Sequence, residues 1–244
     1  MEPIREAFVT GADRGVGFAL VKGLLAKGYK VWAGQFAESN VDLQELQGEH
    51  GEWHRLLRLD ISNAENVRQA IEAISAETDR IDLLINNGAI LGDIASTVQN
   101  ELDFEKMETV YRGVNTLGAL RMSSGLIDFI LNSTDKLIMN ISSEAGSIGA
   151  SNRASWYAYC MSKAALNMRS KLIHNQISPQ GGKVLFVHPG HVQTWMQRKL
   201  DASGVLTPGQ SAEHILRLVE QRLSPEWTDS ALSLIDNNGD TLPW

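Results

Sequence analysis

Short apolar runs alternate along this chain with longer segments whose apolar residues recur every three or four positions. Ala7-Phe8-Val9, Val31-Trp32-Ala33, residues 56–59, Leu83-Leu84-Ile85, residues 137–141 and residues 184–187 are apolar nearly throughout, as strands covered on both faces must be. A further run at 231–234 suggests a last strand. Val16, Ala19, Leu20, Gly23 and Leu24 mark one face of a first helix, and Gly28 stops it. Val67, Ala70, Ile71 and Ile74 mark another. Residues 104–131 read as one long helix and residues 157–177 as the next. Thr207 caps a late helix, with Pro208 at its first position and Gln210 completing a capping box.

Apolar strands separated by helices imply a parallel sheet with helices on both faces. Right-handed crossovers make it a doubly wound α/β fold, with ligands at the carboxyl ends of the strands. No repeat, low-complexity tract or linker interrupts the alternation, so residues 1–244 are expected to form a single domain, with a substrate lid around 193–210. In that lid Trp195, Met196 and Leu200 offer apolar contacts, and Arg198 and Lys199 offer charge.

Composition narrows the function. Against 29 acidic side chains stand 22 basic ones, a net charge of −7, which argues against a nucleic-acid partner. One cysteine, Cys160, leaves no disulfide framework and no multi-cysteine metal site. The N-terminus lacks a signal pattern and no run of about 18 apolar residues occurs, so a soluble, cytoplasmic protein without a membrane partner is expected.

Between the first strand and first helix lies Thr10-Gly11-Ala12-Asp13-Arg14-Gly15-Val16-Gly17. Glycines there let the chain turn tightly and let backbone approach a pyrophosphate, which the unpaired N–H groups of the helix start attract. This Thr-Gly-x3-Gly-x-Gly loop resembles that of the single-domain short-chain dehydrogenase/reductase family, a Rossmann-type fold. The resemblance runs from Thr10 to Trp244 and is strongest, from Gly146 to Asn167 and in the ending Gly239 to Trp244, to the sniffer and C-factor-like carbonyl reductases. It implies cofactor contacts from Gly11, Asp13, Arg14, Gly15, Val16 and Gly17, from Asp60 and Ile61, and from Asn87, Gly88 and Ala89. Asp60 equally suits a helix cap before Ala64. Gly88-Ala89 reverses the family's Ala-Gly. After the sixth strand Pro189, Gly190, Val192 and Thr194 match the family's nicotinamide loop, while His191 and Trp195 depart from its tryptophan and aspartate. Two histidines three apart, His188 and His191, lack the neighbouring ligands a metal site needs.

Tyr159 and Lys163 are four apart on a helix and so share a face. A phenol of pKa about 10 is a poor acid–base group at neutral pH, and a nearby ammonium is expected to lower it. Ser143 follows the fifth strand, where its hydroxyl can stabilise a substrate oxyanion; Ser142 and Ser147 are fallbacks. By resemblance Asn115, Ser143, Tyr159 and Lys163 are the catalytic residues, Asn115 holding a water that links the lysine to solvent, and Tyr159 and Lys163 also touch the cofactor. The 16-residue spacing from Ser143 to Tyr159 is longer than in many family members, and the excess falls in residues 150–156 beside the substrate mouth.

The second strand ends Gly34-Gln35-Phe36-Ala37, without the acid that favours a free ribose 2′-hydroxyl, and Arg14 is the one cation placed for a 2′-phosphate. Those observations favour NADP(H) without excluding NAD(H). The expected activity is hydride transfer between nicotinamide and a carbonyl or alcohol, by a homodimer or homotetramer as in the family. The rival readings are a non-catalytic dinucleotide-binding regulator and a nucleotide-sugar epimerase or dehydratase, the latter generally longer than this chain.

Overall fold

The computed structural model describes residues 4–196, 199–227 and 232–244. Its strands are β1 (Glu6–Thr10), β2 (Lys30–Gln35), β3 (His54–Arg58), β4 (Leu83–Asn86), β5 (Leu137–Ile141), β6 (Lys183–Val187) and β7 (Leu234–Ile235). They form one parallel sheet in the order β3-β2-β1-β4-β5-β6-β7. The order reverses direction between β1 and β4, which opens a crevice at their carboxyl ends.

Alternation along each strand explains the continuous apolar runs. Ala7 and Val9, Val31 and Ala33, Leu83 and Ile85, Leu137 and Met139 face one core layer. Phe8, Trp32, Leu84, Ile138 and Phe186 face the other. The first layer is closed by α1 (Gly15–Ala26) and α8 (Pro208–Leu223), which meet where a side chain at Gly23 would strike Leu216. The second is closed by α3 (Ala64–Ser75) and α7 (Tyr157–Ile177), with α5 (Leu117–Gly125) and α6 (Ile127–Leu131). No helix among the described residues is long and apolar enough to cross a membrane.

Local signals hold well at the capped ends. The Thr207–Gln210 capping box forms, and α7 runs over the span its periodicity predicts. Four expectations need correction. Strand β3 begins two residues early, because β2 pairs Val31 with His54 and Gln35 with Arg58. A helix α2 (Val41–His50), capped by the Asn40 side chain, follows β2; only Leu43 and Leu46 point inward, too few to register as a face. The predicted last strand is displaced to Leu234–Ile235, and Ala231 lies outside the described residues.

The long helix at 104–131 is broken. Helix α4 (Phe104–Glu108) passes into a widened π-helical turn over Thr109–Asn115, then α5 and α6. Thr116 N–H reaches back five residues to Tyr111 O at 3.2 Å. Tertiary bonds select this turn: Asn115 brackets Ile90 and the Thr116 hydroxyl donates to Ser162 O. Such bulges recur at functional sites.

Candidate active site

The glycine turn is locked onto the loop after β4. Asn87 donates from Nδ2 to Thr10 O and Gly11 O at 3.0 and 2.9 Å, and the Thr10 hydroxyl accepts from the Asn87 and Gly88 N–H groups. A Cβ on Gly11 would lie 2.7 Å from Gly88 Cα, and one on Gly17 only 2.1 Å from Gly11 O. Those two glycines are therefore required by packing. Gly15 takes a φ of +58°, and the atom nearest its would-be Cβ is the Thr194 methyl at 3.7 Å, so the loop after β6 crosses over the turn. Helix α1 starts at this turn with no side-chain cap and no acid in its first turn. Free N–H groups and the positive helix end there fit a diphosphate.

Two of the expected cofactor residues have other work in this fold. The Asp13 carboxylate accepts from Phe36 N and Ala37 N at 2.9 and 2.8 Å, tying the glycine turn to the end of β2. Asn87 spends its amide donors on the glycine turn itself. Asp60 does not cap α3; Asn63 does, and Asp60 accepts from the Ser62 N–H and hydroxyl instead. Ile61 packs under Gly88, whose lack of a side chain keeps that contact close; Ala89 follows on the same loop. Arg14 is exposed and makes no ion pair among the described residues. It is not the one cation on this rim: Arg58, ending β3, lies 5.5 Å over the Phe36 ring. Its signal in the sequence was its place two residues before Asp60, which becomes meaningful only once β3 is known to adjoin β2.

Across the switch point the hydroxyl groups converge. Ser143, Tyr159, Lys163 and Asn115 are all buried. Ser143 accepts from Ala145 N–H at 3.1 Å, and its hydroxyl lies close enough to the Tyr159 phenol to draw the phenol's pKa down. The fallback serines are committed elsewhere, Ser142 to Asn167 and Ser147 to Pro243 O. Lys163 Nζ sits 5.5 Å from the Tyr159 ring centre and donates to Ile141 O at 2.8 Å. Asn115 donates to Ile90 O and Ser162 Oγ and accepts from Ile90 N, each at 2.9 to 3.0 Å, so its bonds go to the loop and helix beside Lys163 rather than to Lys163.

Electrostatics corrects a second expectation. Burial pushes the Tyr159 phenol up to about 12 and the Lys163 ammonium down to about 7. The downward pulls on the phenol come from the Ser143 hydroxyl and the Arg153 guanidinium, not from Lys163, and the Arg169 charge lowers Lys163 further. Enclosure pushes both groups toward their neutral forms.

Asn167 was overlooked as a site residue. Its Oδ1 accepts from the Ser142 hydroxyl at 2.5 Å and its Nδ2 donates to Gly146 O at 3.2 Å, so α7 grips the turn on both sides of Ser143. After β6, Pro189 O accepts from the Ser211 hydroxyl and Gly190 (φ +85°) lies against Asn237 and Leu206. Val192 bridges to Leu206, and Gln193 N–H donates to Leu206 O, closing the segment between them into a flap. Its Met196 packs on the cluster of Leu91, Ala145 and Tyr159, while Gln197 and Arg198 lie outside the described residues. His191 pairs with Asp201 at 3.0 Å, and His188, after β6, is held below its ordinary pKa by burial.

A glycine turn welded to the head of a doubly wound sheet, facing buried serine, tyrosine and lysine, defines a Rossmann-type dehydrogenase architecture. Residues 5–204 match the short chain dehydrogenase family, and the chain belongs to it. An uncharacterized oxidoreductase of Schizosaccharomyces pombe is 32% identical over 235 residues, covering 90% of this chain and 91% of that one. The NADPH-bound carbonyl reductase from chicken fatty liver superposes with a TM-score of 0.85 and 26% identity, over 99% of both chains. The carbonyl reductase Sniffer of D. melanogaster has the same fold, with a TM-score of 0.83 at 23% identity, covering 99% of this chain and 100% of that one.

Proposed function

We propose that the protein is an NADP(H)-dependent carbonyl reductase working through Ser143, Tyr159, Lys163 and Asn115. The observation that carries this reading is the buried Ser143–Tyr159 hydroxyl pair, one helical turn from Lys163 and beside an uncapped glycine-loop helix. When bound, the reduced dinucleotide supplies a hydride to the substrate carbonyl carbon. The Ser143 hydroxyl donates to the carbonyl oxygen as negative charge grows there. Tyr159 passes its phenolic proton to that oxygen, so hydride and proton together give the alcohol. A phenol held near 12 stays protonated through neutral pH, which arms it for reduction; alcohol oxidation needs the phenolate. Lys163 would hold the nicotinamide ribose with the donors left over from Ile141 O, and Asn115 fixes the Ile90 loop against α7.

Gly11, Gly15, Val16 and Gly17 would cradle the diphosphate, Ile61, Gly88 and Ala89 would flank the adenosine, and Pro189, Gly190, Val192 and Thr194 would border the nicotinamide. Arg14 and Arg58 would meet a 2′-phosphate, and Asp13 is occupied by backbone N–H groups. The segment 193–210, up to the first turn of α8, serves as the lid. The exposed stripe of Met161, Met168 and Leu172 along α7 supports pairing of two copies through that helix. Titration with NADPH and NADH, followed by NADPH consumption with aldehydes, ketones and quinones, tests the reading. Tighter binding of NADPH and turnover of at least one carbonyl class are expected; equal or tighter NADH binding overturns the cofactor assignment, and silence across the panel overturns the activity.

A further inference from the structure

The residues that lengthen the Ser143–Tyr159 spacing do not wander into solvent. Arg153 forks onto Glu144, Nη1 to Oε2 at 2.7 Å and Nη2 to Oε1 at 2.6 Å, and Glu144 is the residue after Ser143. The paired guanidinium lies 5.0 Å over the Trp156 ring. Trp156 stands edge-on to Tyr159, with ring centres 6.1 Å apart and planes at 72°. Carboxylate, guanidinium, indole and phenol thus form one continuous stack ending on the proposed acid.

Trp156 adopts φ 69° and ψ 28°, the left-handed region that bulky side chains avoid. Glycine would relieve that strain at the same place, so the backbone conformation gives no reason for tryptophan there. Strain of this kind persists where surroundings over-determine it, and it gathers at ligand sites. Around the indole and the phenol lie Leu91, Ile94, Ala145, Cys160 and Met196, drawn from the loop after β4, the Ser143 turn, α7 and the flap. The Arg153 charge beside the indole is spent on Glu144.

Resting on the carbonyl reductase reading, we infer that Trp156, propped by the Glu144–Arg153 pair, is a specificity-determining wall selecting flat carbonyl compounds conjugated to an aromatic ring. An aryl group beside the phenol meets the indole edge or face, whereas a saturated ring of equal carbon count is thicker and has no π-face to offer. Glu144 and Arg153 act as positioning residues, since they touch the indole and not the reacting atoms.

Acetophenone and cyclohexyl methyl ketone share a skeleton and differ in flatness, so the ratio of their kcat/KM values reads the wall directly. The ratio in the unaltered enzyme should favour acetophenone. In Trp156→Leu it should fall by roughly fivefold, the size of a lost aromatic contact, mainly through KM. Trp156→Gly, which suits the left-handed backbone, should fold and show the same fall. Arg153→Met should lower the ratio by a smaller factor. A ratio that stays within roughly 1.5-fold in both Trp156 variants, or an unaltered enzyme that prefers the saturated ketone, overturns the inference. Turnover of both ketones with an unmoved ratio, or of neither ketone while other carbonyl classes react, would fail the wall alone; silence across aldehydes, ketones and quinones, with NADPH still bound, would fail the reductase reading and the wall with it.

Discussion

Replacing Asn167 by leucine keeps the side-chain volume and removes both polar arms that hold the Ser143 turn. The Ser142 hydroxyl, 2.5 Å from Asn167 Oδ1, and the Gly146 carbonyl, 3.2 Å from Nδ2, would each remain buried without that partner. An orphaned buried polar group costs about 1 to 3 kcal/mol, so the variant should lose roughly 3 kcal/mol of unfolding free energy. The turn cannot slide closer to compensate, because a Cβ on Gly146 would already lie 2.7 Å from the Lys163 carbonyl carbon. Urea titration gives the stability. Adding Ser142→Ala deletes one orphan, so the double variant should recover about 1 kcal/mol or more. Kinetically, the loss should fall on kcat for carbonyl reduction, since Ser143 loses its bearing, while the NADPH dissociation constant stays within about twofold because the glycine turn is held separately by Asn87. A stability loss below about 1 kcal/mol, or a defect carried by NADPH binding, would refute this clamp.

Three further perturbations probe other parts of the molecule. His54 is fully buried and held down at about 4, chiefly by burial. The unfolded chain therefore takes up this proton first, and unfolding free energy should drop by about 3 kcal/mol as pH falls from about 6.5 to 4; His54→Phe should flatten that slope in pH-dependent urea melts, and parallel curves would disprove it. Gly17→Ala would drive a methyl group to 2.1 Å from Gly11 O and 2.5 Å from Asn87 Nδ2, costing about 1 to 3 kcal/mol of stability and opening the diphosphate cradle. Calorimetry should show NADPH affinity falling at least tenfold; unchanged affinity would place the dinucleotide elsewhere. Arg14→Ala should weaken NADPH by roughly tenfold or more and leave NADH nearly untouched, and equal losses for both would deny Arg14 a 2′-phosphate role.

What was legible in the chain was what local rules decide. Strand faces follow a period of two, α7 follows its own span, and the Thr207–Gln210 box fixes the start of α8 without help from elsewhere. Where distant partners decide, the sequence was mute. The widened turn at Thr109–Asn115 exists because Asn115 bonds Ile90 and Ser162, residues 25 and 47 positions away. Helix α2 offers only Leu43 and Leu46 to the core and depends on its Asn40 cap. The phenol and ammonium sit side by side as their spacing requires, yet enclosure moves both away from charge, an effect no spacing encodes. Arg58 and Asn167 look ordinary in the chain and become informative only through the neighbours that β2 and the Ser143 turn bring them.

Tyr159→Phe is the most direct test of the central claim. It removes one oxygen atom from a buried ring whose packing against Trp156 and Leu91 is otherwise retained. With NADPH and a carbonyl compound turned over by the unaltered enzyme, the variant should bind NADPH within about twofold while its kcat falls by roughly 10²- to 10⁴-fold, the contribution of a positioned proton donor. Turnover within about tenfold of the unaltered enzyme would contradict the assignment of Tyr159 as the acid.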